Sequence, residues 1–566
     1  MSGRSLVYVL ILAVLLSSVP VSVAEGGSET NATALSETGR IEAVYPNPVA
    51  DGDAGEFVVM FFPRGTDLTG WTLTDGETVV RLGNGTVGGR VVVTAEPTIA
   101  GNLTSRPVLA LDDSVSLANG GDELALQYRN ETIDAIRYED APDAEVFRRT
   151  NGTDGSDEAD GSDSIEESWR WVPLGATDFE PTQAGATTAR AFVLPDAPSV
   201  PIETIRGAER RILIGGYSFA SQRVGAALRR AAARGVEVRI LLDDAPAGGI
   251  STPQARVLDS LAASETDVDI EVLGGPYARY DFHHPKYAVV DDSALVATEN
   301  WKPAGTGGHA SRGWGVVVES ARIANGLAAI FRADIGWRDT VSWRKFRQGR
   351  TFTEETLANE SYPTNFEARS VPVESTTLLA APDNAESAIL RELDRANESI
   401  AVIQASIGSR DLPFVEALFR AAERGVDVRV LLSSAWYSEE DNEAMAAWLN
   451  RRAKVENLSL DARVADPGDR FAKIHAKGVL VDRETAIVGS LNWNSNSVRE
   501  NREVALALDG EEIGAYYGRV FDADWTGSDG KSGPGSETDL PIGLIAAVGG
   551  VVMLAVLVGR RIDFSE

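Results

Sequence analysis

A thirteen-residue stretch occurs twice in this chain, and that repeat limits the fold more than any other feature. Arg230 to Leu242 (RAAARGVEVRILL) returns as Arg420 to Leu432 (RAAERGVDVRVLL), 190 positions later. Each copy reads as the end of a helix, a glycine that stops it, and a buried strand. The strands upstream also match, Ile212 to Tyr217 with Ile400 to Ala405. A repeat this long is too large for one solenoid unit. It predicts two α/β half-domains, 195–345 and 376–526, joined by a linker at 346–375.

The repeat continues into the residues that carry chemistry. The second copy holds His475, Lys477, Asp482, Gly489, Ser490 and Asn492, and the first holds His284, Lys286, Asp291, Ala297, Thr298 and Asn300. Residues i and i+2 of a strand share a face, so each His and Lys point the same way. A short turn then returns a second strand that ends at the asparagine. The chain has no cysteine and only four histidines, His283, His284, His309 and His475. Disulfides, thiol nucleophiles and Cys-ligated zinc are therefore excluded. Two His, two Lys and two Asn in one cleft suit a phosphodiester. The ammonium and amide groups hold the non-bridging oxygens, one imidazole attacks phosphorus, and the other protonates the leaving oxygen. No metal or cofactor is called for. Asp291 and Asp482 read as turn-shaping residues, Trp301 and Trp493 as core, and His283 and His309 as bystanders or substrate contacts.

This doubled pattern resembles the phospholipase D superfamily over roughly 195–524. The resemblance implies a phosphohistidine intermediate, with His284 as nucleophile and His475 as acid, and catalytic residues His284, Lys286, Asn300, His475, Lys477 and Asn492. It implies supporting roles for Asp291, Thr298, Asp482 and Ser490. It also implies that Glu503, 28 residues after His475, orients the His475 ring. The first copy departs from the pattern: its turn is one residue shorter, Ala297 replaces Gly, and Gly315 is the residue aligned with Glu503. The partner of His284 is thus unassigned.

Ahead of the repeat, 39–187 shows short β-type runs divided by Gly, Asp, Asn and Pro, which predicts a β-sandwich. Gly55 to Val58, Leu68 to Gly76 and Gly121 to Leu124 resemble the lamin-tail domain, an immunoglobulin-like sandwich, and imply a binding or spacing role. Within it, Asn151 to Ser168 carries seven acids and no base and reads as a solvated acidic loop.

Both ends carry membrane signals. Residues 1–24 read as a signal peptide. A polar stalk at 527–539 leads to an apolar stretch at 540–559, long enough to span a bilayer and followed by Arg560 and Arg561. The expected protein is secreted, anchored to the cell membrane, and catalytic outside. Its net charge of −31 disfavours loose binding to polyanions at low salt. It also fits work in strong brine, where screening falls to roughly 3 Å. The substrate is expected to be a phospholipid or a nucleic acid. Two alternative readings are an extracellular nuclease and a non-catalytic surface binding protein.

Overall fold

The computed structural model describes residues 39–528 apart from 105, 151–167 and 264–267. The expected signal peptide, most of the acidic loop, the stalk beyond 528 and the apolar stretch at 540–559 lie outside these residues. Among the described residues no helix is long and apolar enough to cross a membrane.

The described residues form two units. The first, 39–150 with 168–174, is built from two sheets. One holds six strands in the order Ser168–Pro173, Glu145–Thr150, Arg40–Tyr45, Phe57–Asp67, Thr86–Thr94, Val108–Ala110. The other holds four, in the order Val79–Arg81, Trp71–Thr74, Gly121–Tyr128, Glu131–Glu139. Alternate residues of both, among them Val58, Met60, Phe62, Leu73, Leu124 and Leu126, bury one common core. Arg129 and Asn130 both take positive φ, 49° and 70°, the geometry of the two-residue hairpin that joins the last two strands.

The sandwich was expected to run to 187, but this unit stops at Leu174. Thr182–Ala184 and Thr187–Leu194 pair instead with strands of the second unit. Their partners lie more than a hundred residues away in sequence, so local pattern does not assign them.

The second unit contains the repeat as two sheets with one shared strand order. In the first half this is Val268–Leu273, Glu237–Asp243, Arg211–Gly216, Lys286–Val290, Ser293–Ala297, Ser311–Val318, Thr187–Leu194. In the second it is Leu460–Val464, Asp427–Leu432, Ser399–Gln404, Lys477–Val481, Thr485–Gly489, Glu503–Asp509, Ser375–Ala381. The halves exchange edges. Arg369–Val373 closes the first sheet and Thr182–Ala184 closes the second.

Helices form where the sequence places caps and an apolar stripe. In Gln222–Ala232, Ser221 accepts from the Val224 amide, and Val224, Ala227, Leu228 and Ala231 are buried on one face. Gly235 and Gly425 follow their helices at φ of 90° and 94°, a left-handed conformation that costs glycine little. Each half buries its own outer layer. Between the sheets, Ala321–Ile335 and Glu511–Thr526 share one central core, with Phe331, Trp314 and Leu213 from the first half and Tyr517, Phe521 and Ile403 from the second.

Candidate active site

Strand register places both His-x-Lys motifs at one end of the sheets. Lys286 pairs with Gly216 and Lys477 with Gln404, the last residues of the antiparallel strands beside them. Asp291 and Asp482 sit at the far ends of the same strands. Both take left-handed φ, 52° and 53°. Asp291 accepts from the amides of Glu209, Arg210 and Arg211, and Asp482 from those of Asn397, Glu398 and Ser399. Partial burial raises their pKa, but these amides win and hold both carboxyls below the ordinary range. The third motif residue therefore fixes a turn, as expected from sequence.

Thr298 and Ser490 lock the return strands in matching ways. Thr298 Oγ1 accepts from Trp314 N at 3.0 Å, and Ser490 Oγ from Val504 N at 3.1 Å. The ladders agree, pairing Ala297 with Gly315 and Gly489 with Ala505. Gly315 is thus equivalent to Ala505, and Gly313 to Glu503. This corrects the sequence alignment by two residues.

The carboxylates also cross over. His284 Nδ1 lies 2.8 Å from Glu503 Oε1, so Glu503 orients the histidine of the other half, not His475. Its partner role was expected for the wrong ring because the motif is local and the contact spans 219 residues. His475 Nδ1 lies 3.3 Å from Glu299 Oε2, a looser approach that lacks hydrogen-bond alignment. Sequence reading passed over Glu299. It occupies the variable position between Thr298 and Asn300, where the other copy has Leu491. A glutamate ending a run of buried apolar residues was the available signal.

Each backbone amide of the two histidines is held by an arginine of the opposite half. His284 N donates to Arg502 O and His475 N to Arg312 O, both at 3.0 Å. Those arginines are fully buried and equivalent. Arg502 binds Asp334 and Asp383, and Arg312 binds Asp196 and Asp524. In each set one aspartate comes from the arginine's own half and one from the other.

Lys286 Nζ donates to His284 O, and Lys477 Nζ to His475 O at 2.7 Å. Lys286 also lies 5.4 Å from the Tyr217 ring centroid, while His284 meets that ring edge-on at 4.6 Å. Burial lowers Lys477 to about 8, against the opposing pull of Glu299 and Glu503. Lys286 falls well below its ordinary value for the same first reason, with Lys477 adding to the effect. Burial likewise lowers His284 and His475 to about 4, and each ring feels the lysines of both halves. The four groups therefore share one field, and both imidazoles are neutral at neutral pH. Burial raises the Glu503 pKa, but His284 and Lys286 outweigh it and hold the carboxyl below its usual range.

Asn300 and Asn492 stand at the ends of the return strands, both partly exposed. Asn300 Oδ1 is buried without a hydrogen-bond partner. His283 is fully buried, with its amide on Asp243 at 2.6 Å. His309 contacts Glu360 O at 2.7 Å. Trp301 and Trp493 are buried core residues, as expected. Among the described residues no cluster of His, Cys, Asp or Glu could hold a metal ion.

With Nδ1 of each ring turned to a carboxylate, Nε2 is the nitrogen left for a substrate. The set can hold an anion between two ammonium groups, attack it with one neutral imidazole and move a proton with the other.

A family model described as cardiolipin synthase, PLD-like domain, matches residues 202–335 and 389–525. Cardiolipin synthase A of Escherichia coli O157:H7 is 32% identical over 108 residues, 19% of this chain and 21% of that protein. Cardiolipin synthase A of Yersinia pestis bv. Antiqua is 30% identical over the same length. The chain thus spans about a fifth of the length of the curated relatives it matches. Among solved structures, phosphatidylserine synthase of Haemophilus influenzae Rd KW20 is 14% identical with a TM-score of 0.45, covering 61% of this chain and 85% of that one.

Proposed function

The chain belongs to the phospholipase D superfamily, and on that premise we propose that it cleaves or transfers a phosphodiester through a phosphohistidine, outside the cell and tethered to its membrane. The observation that carries this reading is the crossed pair of imidazoles, each with Nδ1 on or near a buried carboxylate and a buried lysine two residues on. His284 Nε2 attacks phosphorus as the P–O bond to the leaving group breaks. His475, charged by a proton taken up as the anionic substrate binds, donates its Nε2 proton to the departing oxygen. Water, or an alcohol in a transfer reaction, then gives a proton to His475 and attacks phosphorus, which releases His284. Lys286, Lys477, Asn300 and Asn492 hold the non-bridging oxygens. The relatives' names, cardiolipin synthase A, support a phospholipid substrate and leave hydrolysis and transfer as the two outcomes. The first unit is read as a lamin-tail-like spacer or binding module.

The test is a phosphate-labelled trap. His475→Asn is expected to accumulate labelled enzyme and to regain turnover on a nitrophenyl diester, whose leaving group needs little protonation. His284→Asn is expected to do neither. Turnover surviving in both variants would remove the mechanism. A chain truncated at Gly527 is expected in the soluble fraction and active; an insoluble ectodomain would overturn the tethering.

A further inference from the structure

Among the described residues of the second unit, the exposed large aromatic side chains are Tyr277, Trp436 and Tyr437, at 46%, 87% and 52% of full exposure. Their placement follows from register. Tyr277 follows the strand that ends at Leu273, and Trp436 and Tyr437 follow the one that ends at Leu432. Leu432 flanks Gln404, and hence Lys477, while Leu273 lies at the same edge one strand further out, beside Asp243 of the strand that flanks Gly216 and hence Lys286. The two halves thus each bring exposed rings to the catalytic edge.

The Trp436 tip is a built feature. Ser438 N donates to Ala435 O at 2.8 Å, closing a turn with Trp436 and Tyr437 at its centre, where Gly, Asn, Asp or Pro usually sit. Asn442 Nδ2 ties down the start of this loop by donating to Ser433 O at 2.7 Å and to Ala405 O at 2.9 Å. The two rings meet edge to face at 5.6 Å. Lys473 Nζ reaches the Tyr437 hydroxyl at 3.2 Å, two residues before His475. Aromatic rings with one polar end are the side chains that settle at the headgroup level of a bilayer.

We propose that this aromatic rim docks the second unit on a phospholipid surface and delivers the headgroup phosphodiester to the cleft; the inference rests on the phosphodiesterase reading above and names its substrate class. Charge favours lipid over nucleic acid. A polyanion is bound by a track of Lys and Arg along its backbone. This chain carries 84 Asp and Glu against 53 Lys and Arg; Lys286 and Lys477 hold one phosphate and Lys473 stands at the rim. Beyond the tip come Glu439, Glu440, Asp441 and Glu443, which repel a long anionic chain.

The test compares the full chain with its Trp436→Ser/Tyr437→Ser variant on three substrates: long-chain phosphatidylglycerol in phosphatidylcholine vesicles, dissolved short-chain phosphatidylglycerol, and single-stranded DNA. The variant is expected to lose at least tenfold on vesicles and to stay within twofold on the dissolved lipid. Vesicles with brominated upper acyl chains are expected to quench the wild type more than Trp436→Phe. An unchanged vesicle rate, or a loss confined to DNA, would overturn the rim. A wild type inactive on every substrate would instead overturn the phosphodiesterase reading.

A separate observation concerns Glu299. Gly313 stands where Glu503 stands in the other half, and a Cβ built there would lie 2.2 Å from Glu299 Cγ. Glu299 thus fills the space that a carboxylate at 313 would take, and turns its own carboxylate to His475. We infer that Glu299 is a positioning residue for His475, supplying from position 299 the charge missing at 313. Glu299→Leu is expected to lower kcat at least tenfold with KM within twofold, and to shift the limb of the pH profile that reports His475. Adding Gly313→Glu to that variant is expected to return kcat to within threefold of wild type and restore the limb. A wild-type profile in Glu299→Leu, or no recovery in a double variant of unchanged Tm, would overturn the assignment.

Discussion

The cleft holds two buried ammonium groups, Lys286 and Lys477, and two buried carboxylates, Glu299 and Glu503. Both histidines are neutral there. A monoanionic phosphodiester adds a negative charge beside them, and a proton on one imidazole offsets it. Each imidazole starts from about 4 because burial and the lysines resist its charge. A phosphate oxygen about 4 Å away supplies about 4 kcal/mol at an effective dielectric of about 20, or about three pKa units. That brings an imidazole from about 4 to about 7. The first proton opposes a second, so the site takes up one at most. Binding a non-cleavable phosphonate monoanion at pH 7 is therefore expected to draw about half to one proton from solution. Calorimetry in two buffers of different ionisation enthalpy measures it, and His475→Asn is expected to lower it. Equal binding enthalpies in both buffers would refute the reasoning, because the acid would then have to be charged before substrate arrives.

Three further outcomes follow from the same geometry. Asp482→Ala removes the acceptor for three amides and leaves a left-handed φ to alanine, so about 2 kcal/mol of stability is expected to go; its site is about 20 Å of strand from His475, so calorimetry should show a lower Tm while kcat stays within threefold. Arg502→Met leaves Asp334 and Asp383 buried without their cation, a loss of about 3–5 kcal/mol that denaturant unfolding would read. His283, lowered by burial to about 3, takes up a proton only when unfolded at mildly acid pH; its contribution is full above about 6.5 and declines as pH falls towards 3, so His283→Asn is expected to flatten the slope of Tm between those limits.

The doubled motif was legible because it is local. His, Lys and Asp lie within eight residues, and period two sets which of them share a face. What escaped is non-local. The orienting carboxylates cross between halves, so no spacing within one copy reveals them. The loop from Asn300 to Ser311 breaks the length match, and only strand pairing with Ala297 and Gly489 shows that Gly313, not Gly315, answers to Glu503. Glu299 was hidden for the same reason. The strand Thr182–Ala184 was placed in the first unit and 188–194 in neither, because a short run names no partner. Arg312 and Arg502 carry no local sequence signal of burial, although each closes a buried network.

The crossed pinning of the histidines makes the two halves an interlock. Neither copy holds a finished imidazole: the carbonyl behind each ring, and the carboxylate at its side, belong to the opposite half. A partly unfolded molecule with one sheet intact would keep a histidine and a lysine yet lose their aim. On the proposed reading, chemistry is thus confined to molecules whose halves are seated, and a chain not yet assembled would stay inert toward the phosphodiesters around it.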